Sequence, residues 1–170
     1  KNQAQYLKDG QQVLIPSEDL FDNYSMIKIE ELADFEGYPN RDSIPYIELY
    51  GIQSTQTMFR GTLRNLGWCP TLKKIGELGL LDEEEKDWTG LTYKEFMRKL
   101  MNAPVDVDVK RALSEHLQIE EDSDVIGRLE WLGLLSDDPL APTQGSAMEV
   151  LGALMIEKLK YNEGERDMIV

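Results

Sequence analysis

Apolar and polar positions alternate along the first third of the chain and then change to a helical period. Tyr6-Leu7 and Val13-Leu14-Ile15 flank Asp9-Gly10, a favoured two-residue turn, so the opening predicts a β-hairpin ended by Pro16. Ser17 is placed to cap a short helical turn through Leu20, and residues 24–29 alternate like a strand. Residues 37–43 read as a loop. Asp42 or Ser43 is then expected to cap a helix that tolerates Pro45 in its first turn and stops at Gly51. Residues 57–64 predict a further strand.

From Trp68 onward the spacing predicts helices over 71–78, 92–101, 109–117, 124–132 and 147–159. Thr92-Tyr93-Lys94-Glu95 and Ser146-Ala147-Met148-Glu149 fit the capping box, in which a hydroxyl and a carboxylate each satisfy a free backbone donor. Leu78-Gly79-Leu80-Leu81 is echoed by Leu132-Gly133-Leu134-Leu135. Each reads as a helix end where glycine takes the left-handed conformation and the next leucine folds back. The echo fits either an ancient duplication or a shared capping motif. The chain closes on a strand-like run, Arg166-Asp167-Met168-Ile169-Val170. Strands before 65, helices over 68–159 and a terminal strand predict an α+β or α/β fold, a partial mixed β-sheet with an inserted all-helical subdomain. The expected division is an incomplete α/β domain from 1–66 and 161–170, with the helical subdomain at 67–160.

Charge narrows the classes of function. The 170 residues carry a net −14, which disfavours nucleic acid and anionic membranes as partners, and no apolar run approaches the roughly 20 residues of a membrane span. The first residues show no secretory layout, and the single cysteine, Cys69, excludes an internal disulfide, so a reducing cytoplasm is expected. Cys69 reads as a buried small hydrophobe. His116 has no second ligand at metal spacing, and no metal is expected. Residues 49–76 contain no acid but include Arg60, Arg64, Lys73 and Lys74, the place in this acidic chain where an anion would sit.

No glycine-rich phosphate loop is present, and the carboxylates at 83–85, 120–122 and 137–138 read as solvated charge. What remains is two arginine-bearing segments, Pro39-Asn40-Arg41-Asp42-Ser43 and Arg60-Gly61-Thr62-Leu63-Arg64. An arginine fork holds a carboxylate with paired hydrogen bonds, helix amides add to it, Asn40 and Thr62 offer neutral partners, and Gly61 permits close approach. The spacing also admits a purely structural reading, in which Arg41 pairs with Asp42 or Glu48 while Arg60 and Arg64 decorate a strand face.

At these segments, Glu36-Gly37-Tyr38-Pro39-Asn40-Arg41-Asp42-Ser43 and Phe59-Arg60-Gly61-Thr62-Leu63-Arg64-Asn65-Leu66-Gly67-Trp68, the chain resembles saccharopine dehydrogenase of the glutamate-forming type. Glu130-Trp131-Leu132-Gly133-Leu134-Leu135 extends the likeness more loosely. The resemblance implies an NADP-dependent oxidoreductase of lysine metabolism that interconverts saccharopine with glutamate plus 2-aminoadipate 6-semialdehyde. It implies that Asn40, Arg41 and Thr62 hold substrate carboxylates while Arg60, Gly61 and Asp42 shape the site, and that the parent enzyme is a homodimer. NADP would be bound mainly by a Rossmann domain absent from this chain, which itself holds no cofactor and is expected to be inactive alone; no catalytic acid or base is assigned. Two other readings stand beside it. One is a sister reductase such as a carboxynorspermidine dehydrogenase. The other is a non-catalytic acidic interaction or dimerisation module using Trp88, Trp131, Met97 and Met101.

Overall fold

The computed structural model describes residues 3–31 and 33–165. The chain forms two compact units, Lys1–Lys73 and Lys74–Val170, and the division falls inside one helix. α and β elements are both present, as the sequence predicts, and the sheets are small and antiparallel.

In the first unit, β1 (Ala4–Lys8) and β2 (Gln11–Ile15) form the expected hairpin. Asp9 and Gly10 both take positive φ, 50° and 76°, the signature of a type I′ turn. The stretch expected to begin a helical turn at Ser17 is a run of turns, with Asp19 N donating to Pro16 O and Asn23 N to Asp19 O. A second sheet orders β3 (Ser25–Lys28), β4 (Asp34–Pro39) and β5 (Gly61–Asn65) side by side. β4 corrects the loop expected at 37–43, because Gly37, Tyr38 and Pro39 belong to its central strand. Pro39 sits at the strand's last position opposite Gly61, where a missing N–H does little harm. Gly37 leaves room for neighbours on both sides, since a Cβ there would lie 2.8 Å from Ile27 Cγ1 and 3.4 Å from Leu63 Cδ2.

The strand expected over 57–64 is divided. Met58 bridges Leu7 of the hairpin, and regular pairing with β4 starts only at Gly61. α1 (Pro45–Leu49) is a single short helix with Ile44 at its N-cap and no side-chain cap. The expected caps are used otherwise: Asp42 Oδ1 accepts from Ile44 N at 2.9 Å, while the Ser43 hydroxyl accepts from Arg60 N at 2.9 Å. α2 (Trp68–Glu77) starts three residues before the expected 71, because Glu36 reaches from β4 to its first turn. Glu36 is 4% exposed, and its two carboxylate oxygens accept from Gly67 N at 2.6 Å and Cys69 N at 2.7 Å. These are charge-assisted bonds to amides that the helix itself leaves unpaired.

The second unit contains β6 (Lys86–Asp87), α3 (Tyr93–Met101), α4 (Val109–Leu117), α5 (Asp124–Leu132), β7 (Gln144–Gly145) and α6 (Ala147–Lys158). Both capping boxes form, at Thr92 with Glu95 and at Ser146 with Glu149. Asp108 and Ser123 cap α4 and α5. The repeated Leu-Gly-Leu-Leu segments close their helices identically. Gly79 N donates to Gly76 O and Leu80 N to Ile75 O, as Gly133 N does to Glu130 O and Leu134 N to Leu129 O. This is the Schellman pattern, with φ of 75° at Gly79 and 106° at Gly133 and both following leucines fully buried. The segments after the two repeats pair with each other, Lys86 opposite Gly145 and Asp87 opposite Gln144. The core gathers Trp88, Phe96, Met97, Leu113, Ile126, Leu129 and Val150, with Trp88 edge-on to Phe96 at 5.0 Å. Trp88, Met97 and Met101 are therefore core, and of the four residues expected on an interaction face only Trp131 is exposed. The strand expected at 166–170 lies outside the described residues.

Two substitutions test these constraints. Glu36→Gln replaces one acceptor by a donor facing a buried N–H, so chemical denaturation should report a loss of about 2 kcal/mol. Ser146→Ala removes the hydroxyl half of a capping box and should cost about 1 kcal/mol by the same measurement.

Candidate functional site

The two arginine segments meet in the first unit. Asn40 N donates to Arg60 O and Arg60 N donates to the buried Ser43 hydroxyl, so the chain after β4 and the chain before β5 are stitched together by backbone groups. The hairpin holds the same corner from the other side, with Gln5 N donating to Arg41 O and Ser43 N donating to Gln5 O. Arg41 takes φ 58°, a left-handed conformation that costs a residue bearing a Cβ roughly 1–2 kcal/mol. The flanking ladder keeps it there.

An open depression of about 770 Å³ results, lined by Arg41, Asp42, Pro45, Tyr46, Glu48, Leu49 and Arg60. Arg60 Nη1 donates to Tyr46 Oη at 2.9 Å, and the Arg60 guanidinium lies 4.6 Å from the Tyr46 ring centroid. Beside the depression, Asn40 Nδ2 donates to Thr62 Oγ1 at 3.0 Å, leaving the Thr62 hydroxyl hydrogen and the second Asn40 amide hydrogen as donors. Arg41, Asp42 and Arg60 thus share one surface, and Asn40 and Thr62 form an adjoining pair. Gly61 pairs with Pro39, and the space its missing side chain leaves is filled by Phe59: a Cβ would lie 2.6 Å from the Phe59 ring. The expected close approach of a ligand at Gly61 is therefore blocked on that side. The expected helix-amide contribution is also small, because α1 is five residues long and Asp42 already takes the Ile44 amide.

Ion pairing separates the basic residues of this region. Lys73 bonds Asp22 at 2.6 Å and Lys74 bonds Glu77 at 2.7 Å. Among the described residues, neither Arg41 nor Arg60 has a carboxylate within salt-bridge distance, so the pairing of Arg41 with Asp42 or Glu48 does not occur. Arg64 stacks over Trp68, 5.3 Å from its centroid.

Elsewhere the chemistry is quiet. The Cys69 thiol is pushed up to about 12, first by burial and then by its hydrogen bond to Glu36 and that carboxylate's charge, with Arg64 opposing weakly. At neutral pH it is an inert thiol. His116 is exposed in the last turn of α4, and the acidic runs at 83–85, 120–122 and 137–138 are exposed. Among the described residues no three His, Cys, Asp or Glu side chains converge as metal ligands, and no helix is long and apolar enough to cross a membrane. A nucleotide cofactor does not fit the strand-to-helix turn between β5 and α2. The amides there that would hold a phosphate are occupied by Glu36.

Sequence reasoning missed Tyr46, Ser43 and Glu36. Tyr46 and Arg60 are 14 positions apart on different elements, and no periodicity links them. The buried Glu36 had a signal: it is the acid nearest before the conspicuous motif, in a segment otherwise uncharged until Arg41.

A family model described as the saccharopine dehydrogenase C-terminal domain matches residues 1–170. The NADP(+)-dependent, L-glutamate-forming saccharopine dehydrogenase of Pyricularia oryzae is 32% identical over 179 aligned positions, covering 100% of this chain and 39% of that protein. The mitochondrial alpha-aminoadipic semialdehyde synthase of Bos taurus is 39% identical over 146 positions, covering 81% of this chain and 15% of that protein. A solved structure, the apo histidine-tagged saccharopine dehydrogenase (L-Glu forming) of Saccharomyces cerevisiae, superposes with a TM-score of 0.83 at 29% identity over 95% of this chain and 38% of that one. The chain spans about two fifths of the length of the dehydrogenases it matches.

The strain at Arg41 has a direct test. Arg41→Gly and Arg41→Ala both remove the charge, but only glycine relieves the left-handed backbone, so thermal denaturation should find the glycine variant the more stable of the two by about 1 kcal/mol.

Proposed function

The chain belongs to the saccharopine dehydrogenase C-terminal domain family, and from that premise we propose that it is the substrate-binding part of an NADP-dependent saccharopine dehydrogenase. In this reading the whole protein interconverts saccharopine with glutamate plus 2-aminoadipate 6-semialdehyde, and residues 1–66 belong to its substrate-binding domain.

One observation carries the reading: two arginines, Arg41 and Arg60, line one open depression and, among the described residues, neither is ion-paired, although Asp42 and Glu48 line the same depression, in a chain of net charge −14. Saccharopine has three carboxylates. A guanidinium binds a carboxylate through two parallel N–H donors. Arg41 and Arg60 hold carboxylate groups, and Asn40 and Thr62 supply neutral hydrogen bonds to the same ligand. Asp42 keeps the Ile44 amide satisfied and so holds the loop that presents Arg41. These groups orient the substrate; a nicotinamide cofactor, when bound, accepts or supplies the hydride. Because Glu36 fills the β5–α2 turn, that turn does not hold the nucleotide. A homodimer and a cytoplasmic location, the latter resting on the single reduced cysteine, belong to the same proposal.

The test is saccharopine-dependent reduction of NADP by the full-length protein containing this sequence, beside its Arg41→Ala variant. Turnover by the wild type with at least about a tenfold loss of kcat/KM in the variant is the expected result. Unimpaired turnover in the variant would remove Arg41 from the site, and no turnover by a folded wild type would end the saccharopine reading.

A further inference from the structure

A single guanidinium on a flexible stem is a poor receptor, because ordering the side chain costs up to about 2 kcal/mol of rotamer entropy whenever a ligand binds. Arg60 is ordered in advance. Its main chain is fixed on both sides, by the Ser43 hydroxyl at its N–H and the Asn40 N–H at its carbonyl. Its side chain is fixed by one residue, Tyr46 of α1, whose phenol oxygen accepts from Nη1 at 2.9 Å and whose ring lies under the guanidinium at 4.6 Å. Tyr46 is itself half-buried and braced by Tyr50, 5.6 Å away between ring centroids. A guanidinium has five N–H donors. One is spent on Tyr46 and one face lies against its ring, which leaves four N–H donors without a hydrogen-bond partner among the described residues, on a side chain that lines the depression with Tyr46 and Arg41.

We propose that Tyr46 is a positioning residue for substrate binding, holding the Arg60 guanidinium in the orientation that pairs with a carboxylate of a dicarboxylate or tricarboxylate amino acid. The inference rests on the carboxylate-pocket reading above and goes beyond it by assigning affinity to a residue that makes its contribution through Arg60. A lysine in place of Arg60 would lack both the fork and the planar face that Tyr46 stacks against.

The experiment is calorimetric titration of saccharopine into the full-length protein containing this sequence, for wild type, Tyr46→Phe, Tyr46→Leu, Arg60→Ala, Arg41→Ala and the double variant Tyr46→Phe/Arg60→Ala, with melting temperatures recorded for each. Tyr46→Phe should raise Kd about tenfold, the low end for one lost hydrogen bond to a charged group, and Tyr46→Leu should raise it further because the ring is lost too. In the Arg60→Ala background Tyr46→Phe should change Kd by less than about twofold, since the residue it acts through is gone. A general structural role would instead lower the melting temperature and weaken binding equally in both backgrounds, and that result overturns the proposal. Wild-type affinity in both Tyr46 variants, with Arg60→Ala and Arg41→Ala weakened, overturns it while leaving the pocket intact. Wild-type affinity in Arg60→Ala and Arg41→Ala removes the pocket itself, and the positioning role with it.

Discussion

The first unit depends on one buried carboxylate. Glu36 sits in the middle strand of a three-stranded sheet, opposite Met26 on one side and Arg64 on the other, and its two oxygens take the Gly67 and Cys69 amides. A carboxylate buried without partners is costly, and a helix start without acceptors leaves bare N–H groups. Each solves the other's problem. The pairing sets where α2 begins, aligns the β5–α2 turn, and buries Cys69 against the same carboxylate so that its thiol stays protonated. It also makes the turn unavailable to phosphate.

The arginine corner depends on a different kind of constraint, a ladder of backbone bonds. The hairpin grips Arg41 O and Ser43 N, and the strand entry at Arg60 grips Ser43 Oγ and Asn40 N. A loop between two strands is thereby tied to a hairpin that does not belong to its sheet, and a strained residue at φ 58° is retained. The functional side chains project from this frame. Among the described residues neither arginine forms an ion pair, although Asp42, which accepts from the Ile44 amide, and Glu48 line the same depression.

How much of this was legible varied with the range of the interaction. The helices over 109–117 and 124–132 appear with the bounds their spacing predicts, and both capping boxes and both Leu-Gly-Leu-Leu closures form as read. Each of those signals is complete within about six residues. Residues 37–39 of β4 read as part of a loop because Gly37 and Pro39 are turn formers taken alone, and only the strands on either side make them a strand. Ser43 was read as a helix cap because a hydroxyl before a proline-started helix usually is one; in the fold its acceptor serves Arg60, 17 residues away.

For the site, the sequence by itself determined the ingredients: an acid-free window, two arginine-bearing motifs, and a resemblance specific enough to point to a saccharopine dehydrogenase. Charge and motif are properties of residue order, so they survive without a structure. Only the tertiary structure decided that Arg41 and Arg60 line one depression, that Lys73 and Lys74 are ion-paired while, among the described residues, these two arginines are not, that Phe59 covers Gly61, and that Tyr46 lies under Arg60. Those are contacts between elements, and no local propensity or periodicity encodes which side chains a β-ladder will bring face to face.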